Sequence, residues 1–175
     1  MWKECPDDVY EKREYTVDEE NPRIATKIGY GFYCCTIIGN TALPRGKVTS
    51  WSIKVLESVN NDGVGIFIGV APFDIDQNEK ENSNKCGWYF YCWTSVLLSG
   101  PPHNYRKVYG PRKRIGQYVH TGDSVGVVMD TTKGEFSFAL NGVNLGVAFE
   151  GIPFDKPLVP CALLKFEGDS VELVF

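Results

Sequence analysis

The pattern with the most direct catalytic chemistry in this sequence is the run from Gly122 to Gly126, which has the form Gly-x-Ser-x-Gly. Hydrolases use that pattern at a sharp turn from a strand into a helix, where the serine oxygen is exposed beside hydrogen-bond donors. Here the residues after Ser124 alternate like a strand, and both histidines, His103 and His120, precede it. The chain order serine, acid, histidine is therefore impossible, and we expect a plain turn in a protein that is not an enzyme.

Metal and cofactor sites are not indicated by the residue spacing either. Asp74, Asp76 and Asn78 begin like a calcium loop of the EF-hand type. That loop needs Gly at its sixth position and Glu at its twelfth, where this sequence has Glu79 and Lys85. The histidines and cysteines match no zinc spacing, and no phosphate-binding glycine loop is present. We expect no metal and no cofactor.

A basic run is the remaining chemical feature, with Tyr105 and Arg106 near its start and Arg112, Lys113 and Arg114 at its end. It could contact a phosphate backbone, but such runs are more often solvated loops. The net charge of −4 is concentrated in residues 1–20, which contain eight acidic residues and three basic ones. The rest of the chain is nearly neutral, so we predict no nucleic-acid partner and keep the run as a secondary candidate surface.

The elements that must position any site are predicted to be strands. Apolar residues alternate with polar ones, and Asn141-Gly142 between two alternating runs is a strong hairpin signal, because both turn residues need a positive φ. Phe136 and Phe138 share one face of the strand before this turn. No stretch after residue 23 keeps a helical period for ten residues. The predicted strands lie within 50–55, 65–71, 87–91, 96–98, 123–149, 160–166 and 170–175.

The cysteines indicate a reducing compartment. Six are present, none in a Cys-x-x-Cys pair, and the sequence shows neither an apolar signal segment nor an Asn-x-Ser/Thr acceptor. We therefore expect reduced thiols in a cytoplasmic protein, with a nuclear one as the alternative, and not a secreted one. No apolar run approaches the roughly 20 residues of a membrane span, so no membrane contact is expected.

The chain divides by composition into two parts. Residues 1–23 form an acidic extension, and the sequence leaves open whether it is disordered or packs as a short cap. Residues 24–175 form one domain with two polar loops, 74–85 and 100–116. The length of the second loop suggests a functional role.

Several motifs together are similar to the SPRY domain family. The main ones are Asp123–Asp130, Gly134–Phe138, Asn141-Gly142 and Leu145–Phe149; the flanking ones are Trp51, Ile68–Ala71, Leu98–Gly100 and Pro157–Pro160. The resemblance covers about residues 24–175. It departs at Met129, where Leu is usual, and is looser over 87–95. It implies an all-β, concanavalin-like sandwich of two packed antiparallel sheets.

The resemblance also implies where a partner would bind. In peptide-binding members, contacts come from an Arg before the Trp-bearing strand, an aromatic after the Ile-Gly-Val-Ala strand, and a hydrophobic-Trp-Gly unit in the last hairpin. By motif these fall on Arg45, on Trp88 or Tyr89, and on Leu164, Lys165 and Phe166. Phe166 stands where Trp is usual, and Glu167 precedes Gly168. Trp88 and Phe166 are equally compatible with a place in the core.

The function that follows is a non-catalytic protein–protein interaction module, an adaptor-type domain that binds a peptide or protein through loops at one edge of the sandwich. We expect it to be a monomer. The alternative is a lectin-like carbohydrate-binding domain, which the sandwich permits. Lectins of this type usually need clustered Asp and Asn ligands for calcium, and only Asp74, Asp76 and Asn78 could supply them.

Overall fold

The computed structural model describes residues 1–5, 14–29, 34–59, 65–77, 87–99, 106–108 and 119–175, and for residues 106–108 it describes the backbone only. All regular secondary structure in these residues is β-strand, arranged in two antiparallel sheets. The all-β prediction is confirmed. In the described part of the chain, no helix is long and apolar enough to cross a membrane.

One sheet has seven strands, in the order β1-β2-β13-β4-β9-β10-β11. Its central strand β4 pairs with both β13 and β9, so the last strand of the chain lies in the middle of the sheet. The bounds are β1 Tyr15–Val17, β2 Ile24–Lys27, β4 Val48–Glu57, β9 Ser124–Asp130, β10 Glu135–Leu140, β11 Val143–Phe149 and β13 Ser170–Val174.

The other sheet has six strands, in the order β3-β12-β5-β6-β7-β8. Strand β12 pairs with β3 on one side and with β5 on the other. The bounds are β3 Cys35–Ile38, β5 Phe67–Pro72, β6 Trp88–Tyr91, β7 Val96–Ser99, β8 Arg106–Val108 and β12 Leu158–Leu164.

The Asn-Gly hairpin forms as the sequence predicts. Asn141 and Gly142 have φ values of 49° and 81°, which a two-residue turn of this kind requires. The Asn141 side-chain oxygen also accepts a hydrogen bond of 2.9 Å from the backbone N–H of Ser124. The turn therefore ties β10 and β11 to the start of β9.

The main core lies between the two sheets and takes alternate residues from each. Phe136 and Phe138 on β10 are buried, with ring centroids 4.7 Å apart, and Phe138 lies 5.3 Å from Phe90 on β6. The six-stranded sheet also buries part of its outer face, in a second apolar cluster: Ile38, Ala71, Tyr89, Val159, Cys161 and Leu163. Strands β5 and β12 are therefore apolar on both faces, as central strands are.

The described part of residues 1–23 packs onto the sandwich. Trp2 forms an isolated bridge with Gly39 and is buried in the main core, together with Tyr15 and Val17. The Tyr15 hydroxyl donates to the Lys3 carbonyl at 3.0 Å. Whether a domain boundary falls between residues 23 and 24 stays a prediction.

The structure corrects three expectations about elements. The segment 100–116, predicted to be one loop, contains strand β8, because its backbone pairs with the otherwise free edge of β7. Strand β12 begins at Leu158 rather than at Pro160. Strands β1, β2 and β3 were not predicted at all. Such strands are short, and long-range pairing rather than local pattern decides whether they form.

Candidate functional site

Two of the residues proposed for binding, Tyr89 and Leu164, have fully buried side chains. Tyr89 belongs to the second apolar cluster and Leu164 to the main core. Trp88 is half-buried and packs against the main core. A side chain without accessible surface cannot contact a partner directly, so any role of Tyr89 and Leu164 in binding must be to support their neighbours.

Lys165 and Phe166 are partly exposed and lie among three further aromatic residues. The Lys165 ammonium is 5.9 Å from the ring centroid of Trp93 and 5.3 Å from that of Phe166. Tyr91 contacts Trp93 edge-on at 6.3 Å and stacks on Phe67 at 4.1 Å. We call this continuous group the aromatic patch; it consists of Phe67, Tyr91, Trp93, Lys165 and Phe166.

The buried carboxylate of Asp169 holds the turn that carries two residues of the patch, Lys165 and Phe166. Asp169 Oδ2 accepts hydrogen bonds from the backbone N–H groups of Phe166 at 2.9 Å and Lys165 at 3.3 Å, and Oδ1 accepts one from Val59 at 3.3 Å. Burial raises the pKa of Asp169, and these N–H donors oppose that effect. Gly65 leaves room for the Phe166 ring, since a Cβ there would lie 2.6 Å from its Cε2 atom.

Sequence reasoning identified Lys165 and Phe166 but missed Phe67, Tyr91 and Trp93 as surface residues. A signal was present, because Tyr89, Tyr91 and Trp93 recur at every second position and so share one face of the chain. The spacing did not reveal that the first of them is buried while the other two keep some exposure.

Arg45 lies near the start of β12, at the opposite end of that strand from Lys165 and Phe166. Its side chain is exposed, and Nη2 donates to the Asp155 carbonyl at 3.5 Å. The same loop is attached through Leu43, whose N–H donates to the carbonyl of Leu158, the first residue of β12. Phe166 lies two residues after Leu164, the last residue of β12, and a strand of that length spans about 20 Å. The structure therefore does not bring Arg45 and Phe166 together.

The secondary candidate surface falls largely outside the described residues. Tyr105, Arg112, Lys113 and Arg114 are not among them. The backbone of Arg106 begins β8, at the edge of the six-stranded sheet, where it pairs with Leu98. The proposal that this basic run contacts a partner stays a prediction.

The catalytic and metal motifs can be placed where the structure describes them. Ser124 is the first residue of strand β9, not the apex of a turn into a helix. The nearest histidine in sequence, His120, uses its backbone N–H to bond Asp123. Asp74 pairs with Lys156 at 2.8 Å, and the described residues contain no group of three or more His, Cys, Asp or Glu that could hold a metal. Asn78 of the expected calcium candidates lies outside the described residues.

The cysteines give a first testable prediction. Cys5, Cys34, Cys35 and Cys161 are free, and burial raises the pKa of Cys35 and of Cys161 to about 12. Because the thiolate is the reactive form, both should resist iodoacetamide at pH 8 in the folded protein and react after unfolding. Mass spectrometry of tryptic peptides measures this, with half-buried Cys5 as the internal comparison. Complete labelling of Cys161 in folded protein would contradict the prediction.

Comparison with known proteins agrees with this architecture. The family model described as SPRY domain matches residues 48–175. No curated relative matches the sequence. Three solved structures share the fold: the SPRY domain of human HERC1 (19% identity, TM-score 0.71, 91% of each chain covered), a human SPRY domain (14%, 0.68, 93% of this chain and 95% of that one) and the PSpry domain of TRIM65 (11%, 0.63, 98% and 91%). The chain belongs to the SPRY domain family.

Proposed function

We propose that this chain is a non-catalytic interaction module that binds a peptide or protein partner on the aromatic patch. The observation that carries the proposal is a continuous group of four partly exposed aromatic rings, two of which, Trp93 and Phe166, contact the Lys165 ammonium. SPRY domains are generally interaction modules of this kind, so the family and the surface favour the same function.

The composition of the patch matches what protein interfaces use for affinity. Binding energy concentrates in a few residues, and aromatic side chains are enriched among them because they bury a large area at low entropic cost. A lysine stem beside the rings adds apolar contact while its charge stays near solvent. By contrast, the Arg45 loop offers one exposed guanidinium already directed at the Asp155 carbonyl.

The patch is also held in place before any partner arrives. Phe67 and Tyr91 lie opposite each other on the paired strands β5 and β6, which fixes their stacked rings. Asp169 fixes the turn of Lys165 and Phe166. A preformed surface loses little conformational entropy on binding, which favours affinity.

We propose further that the protein acts as a monomeric adaptor in the cytoplasm or the nucleus. The free thiols of Cys5, Cys34, Cys35 and Cys161 support a reducing compartment. Sedimentation velocity of the purified protein measures the oligomeric state, and a stable dimer at micromolar concentration would contradict this part of the proposal.

The patch should lose its partner when Phe166 is truncated. Phe166→Ala is expected to weaken binding of a captured partner at least tenfold, about 1.4 kcal/mol, because it removes one of the two rings that contact the Lys165 ammonium. Titration calorimetry or surface plasmon resonance with the purified partner measures the change. Since Phe166 is half-buried, the melting temperature of the variant must be recorded beside the affinity.

The controls separate three surfaces. Lys54→Ala, on the outer face of the seven-stranded sheet, should bind like the wild type. If Arg45→Ala abolishes binding and Phe166→Ala does not, the partner binds at the opposite end of β12. If only the joint neutralisation of Arg112, Lys113 and Arg114 abolishes binding, the basic run is the interface and the patch is withdrawn.

A further inference from the structure

The charged group of the aromatic patch has no carboxylate partner among the residues that the structure describes. Lys165 forms no ion pair with any described residue; its ammonium lies over the rings of Trp93 and Phe166, and its charge also acts on the Cys34 thiol. The nearby Asp169 is buried, and its two oxygens accept backbone N–H groups. An ammonium held over two aromatic faces at a partly exposed position is therefore available to an external anion.

Some other described lysines differ in this respect, whereas Lys3 likewise lies over a ring, that of Phe73, with no ion pair to a described residue. Lys27, which is fully buried, lies 3.6 Å from Glu14, and Lys156 lies 2.8 Å from Asp74. Their charges are compensated within the chain. A partner carboxylate on Lys165 would gain a charge-assisted hydrogen bond without first breaking an ion pair to any described residue.

The strand register places an apolar subsite beside this cation. Leu163 pairs with Phe67 across β12 and β5, and Lys165 lies two positions beyond Leu163. Diagonal neighbours of this kind in adjacent strands are about 7–8 Å apart. In an extended peptide, side chains at alternate positions point the same way and lie about 6.6 Å apart, so one peptide can reach both subsites.

We propose that the partner of the aromatic patch is an extended peptide segment in which an Asp or Glu lies two positions from an aromatic or large aliphatic residue. The carboxylate binds the Lys165 ammonium, and the apolar side chain packs on the stacked Phe67 and Tyr91 rings. This inference rests on the proposed function, because it names the ligand of the same surface.

The first experiment selects peptides without assuming a sequence. A random phage-displayed library is panned on the wild-type protein, and clones whose binding is lost on Phe166→Ala are retained as patch ligands. We expect these clones to be enriched in an acidic residue two positions from Phe, Trp, Tyr, Leu or Ile. Patch-dependent clones with no such enrichment overturn this inference and leave the proposed function standing. A selection that yields no Phe166-dependent clone overturns both.

The second experiment tests the charge pairing directly with the best selected peptide. Lys165→Gln should weaken it about tenfold and Lys165→Glu more strongly, because the latter places like charges together. Lys165→Arg should retain most of the affinity, and Lys165→Glu should recover affinity for a peptide whose acidic residue is changed to Lys. Lys54→Gln, a matched loss of an exposed charge on the other sheet, should have no effect.

Melting temperatures of all variants exclude an unfolded protein as the cause of lost binding. If folded Lys165→Gln binds the acidic peptide as tightly as the wild type, or if the reversed peptide gives no recovery, the carboxylate does not bind Lys165 and the inference is wrong. The salt dependence of the affinity is a further test, because a contact made only by apolar packing would not weaken in this way with ionic strength. The affinity of the wild type should fall as ionic strength rises, and that of Lys165→Gln should change less.

Discussion

Phe138→Ala is expected to lower the free energy of unfolding by about 3–5 kcal/mol. The side chain is 1% exposed, and its ring packs on Phe136 and on Phe90 of the opposite sheet. Truncation removes the apolar surface that joins the two sheets and leaves a cavity that rigid strands cannot close. Since small domains are typically stable by about 5–15 kcal/mol, the variant should be close to unfolding. Urea denaturation followed by tryptophan fluorescence measures the change.

The neighbouring residue Ser137 provides the matched control for this prediction. Its side chain lies on the outer face of the same strand, partly exposed, so Ser137→Ala should alter stability by less than about 0.5 kcal/mol. A Phe138→Ala variant that unfolds cooperatively with unchanged stability would show that β10 faces the other way.

Trp2→Ala should also destabilise the protein by about 3–5 kcal/mol, although this residue lies outside the segment that the family model matches. Trp2 is 3% exposed in the main core, its backbone N–H donates to the Pro22 carbonyl at 3.0 Å shortly before β2, and it forms a bridge with Gly39 just after β3. The N-terminal residues therefore connect the two sheets. Thermal unfolding by calorimetry measures the loss.

Glu4→Ala is the control for the N-terminal segment, because Glu4 is exposed and its truncation removes no buried surface. It should melt within a degree or two of the wild type. If Trp2→Ala is equally harmless, the first residues contribute nothing to the fold, and residues 1–23 behave as a separate extension.

The local sequence carried enough information for the hairpin and for several strands. A two-residue turn with positive φ at both positions admits few residue types, so Asn141-Gly142 determines that turn without help from the rest of the chain. Likewise, the alternation in Val125–Met129 and Glu135–Phe138 determines which side chains share a face, because successive residues of a strand point to opposite sides. In β11 it does not, since Val147 is exposed and the pairing with β10 contains register shifts. The family motifs lie mainly in this region, which is why the fold class could be predicted.

The location of the candidate site could not be predicted in the same way. Alternation assigns residues to two faces, but in β5, β6 and β12 both faces are apolar, so pattern alone cannot say which aromatic is buried. Tyr89 and Tyr91 are two positions apart and share one face of β6. Packing in the second apolar cluster buries Tyr89, whereas Tyr91 stays partly exposed.

By itself, the sequence determined the all-β class, the Asn-Gly turn and the resemblance to one family. Tertiary structure alone decided that Arg45 and Phe166 lie at opposite ends of β12, that Trp2 belongs to the core, and that Lys165 meets the ring of Trp93, which follows β6. The physical reason is the same in each case. These contacts join residues far apart in the chain, and the pairing of whole strands, which no local pattern encodes, fixes their positions.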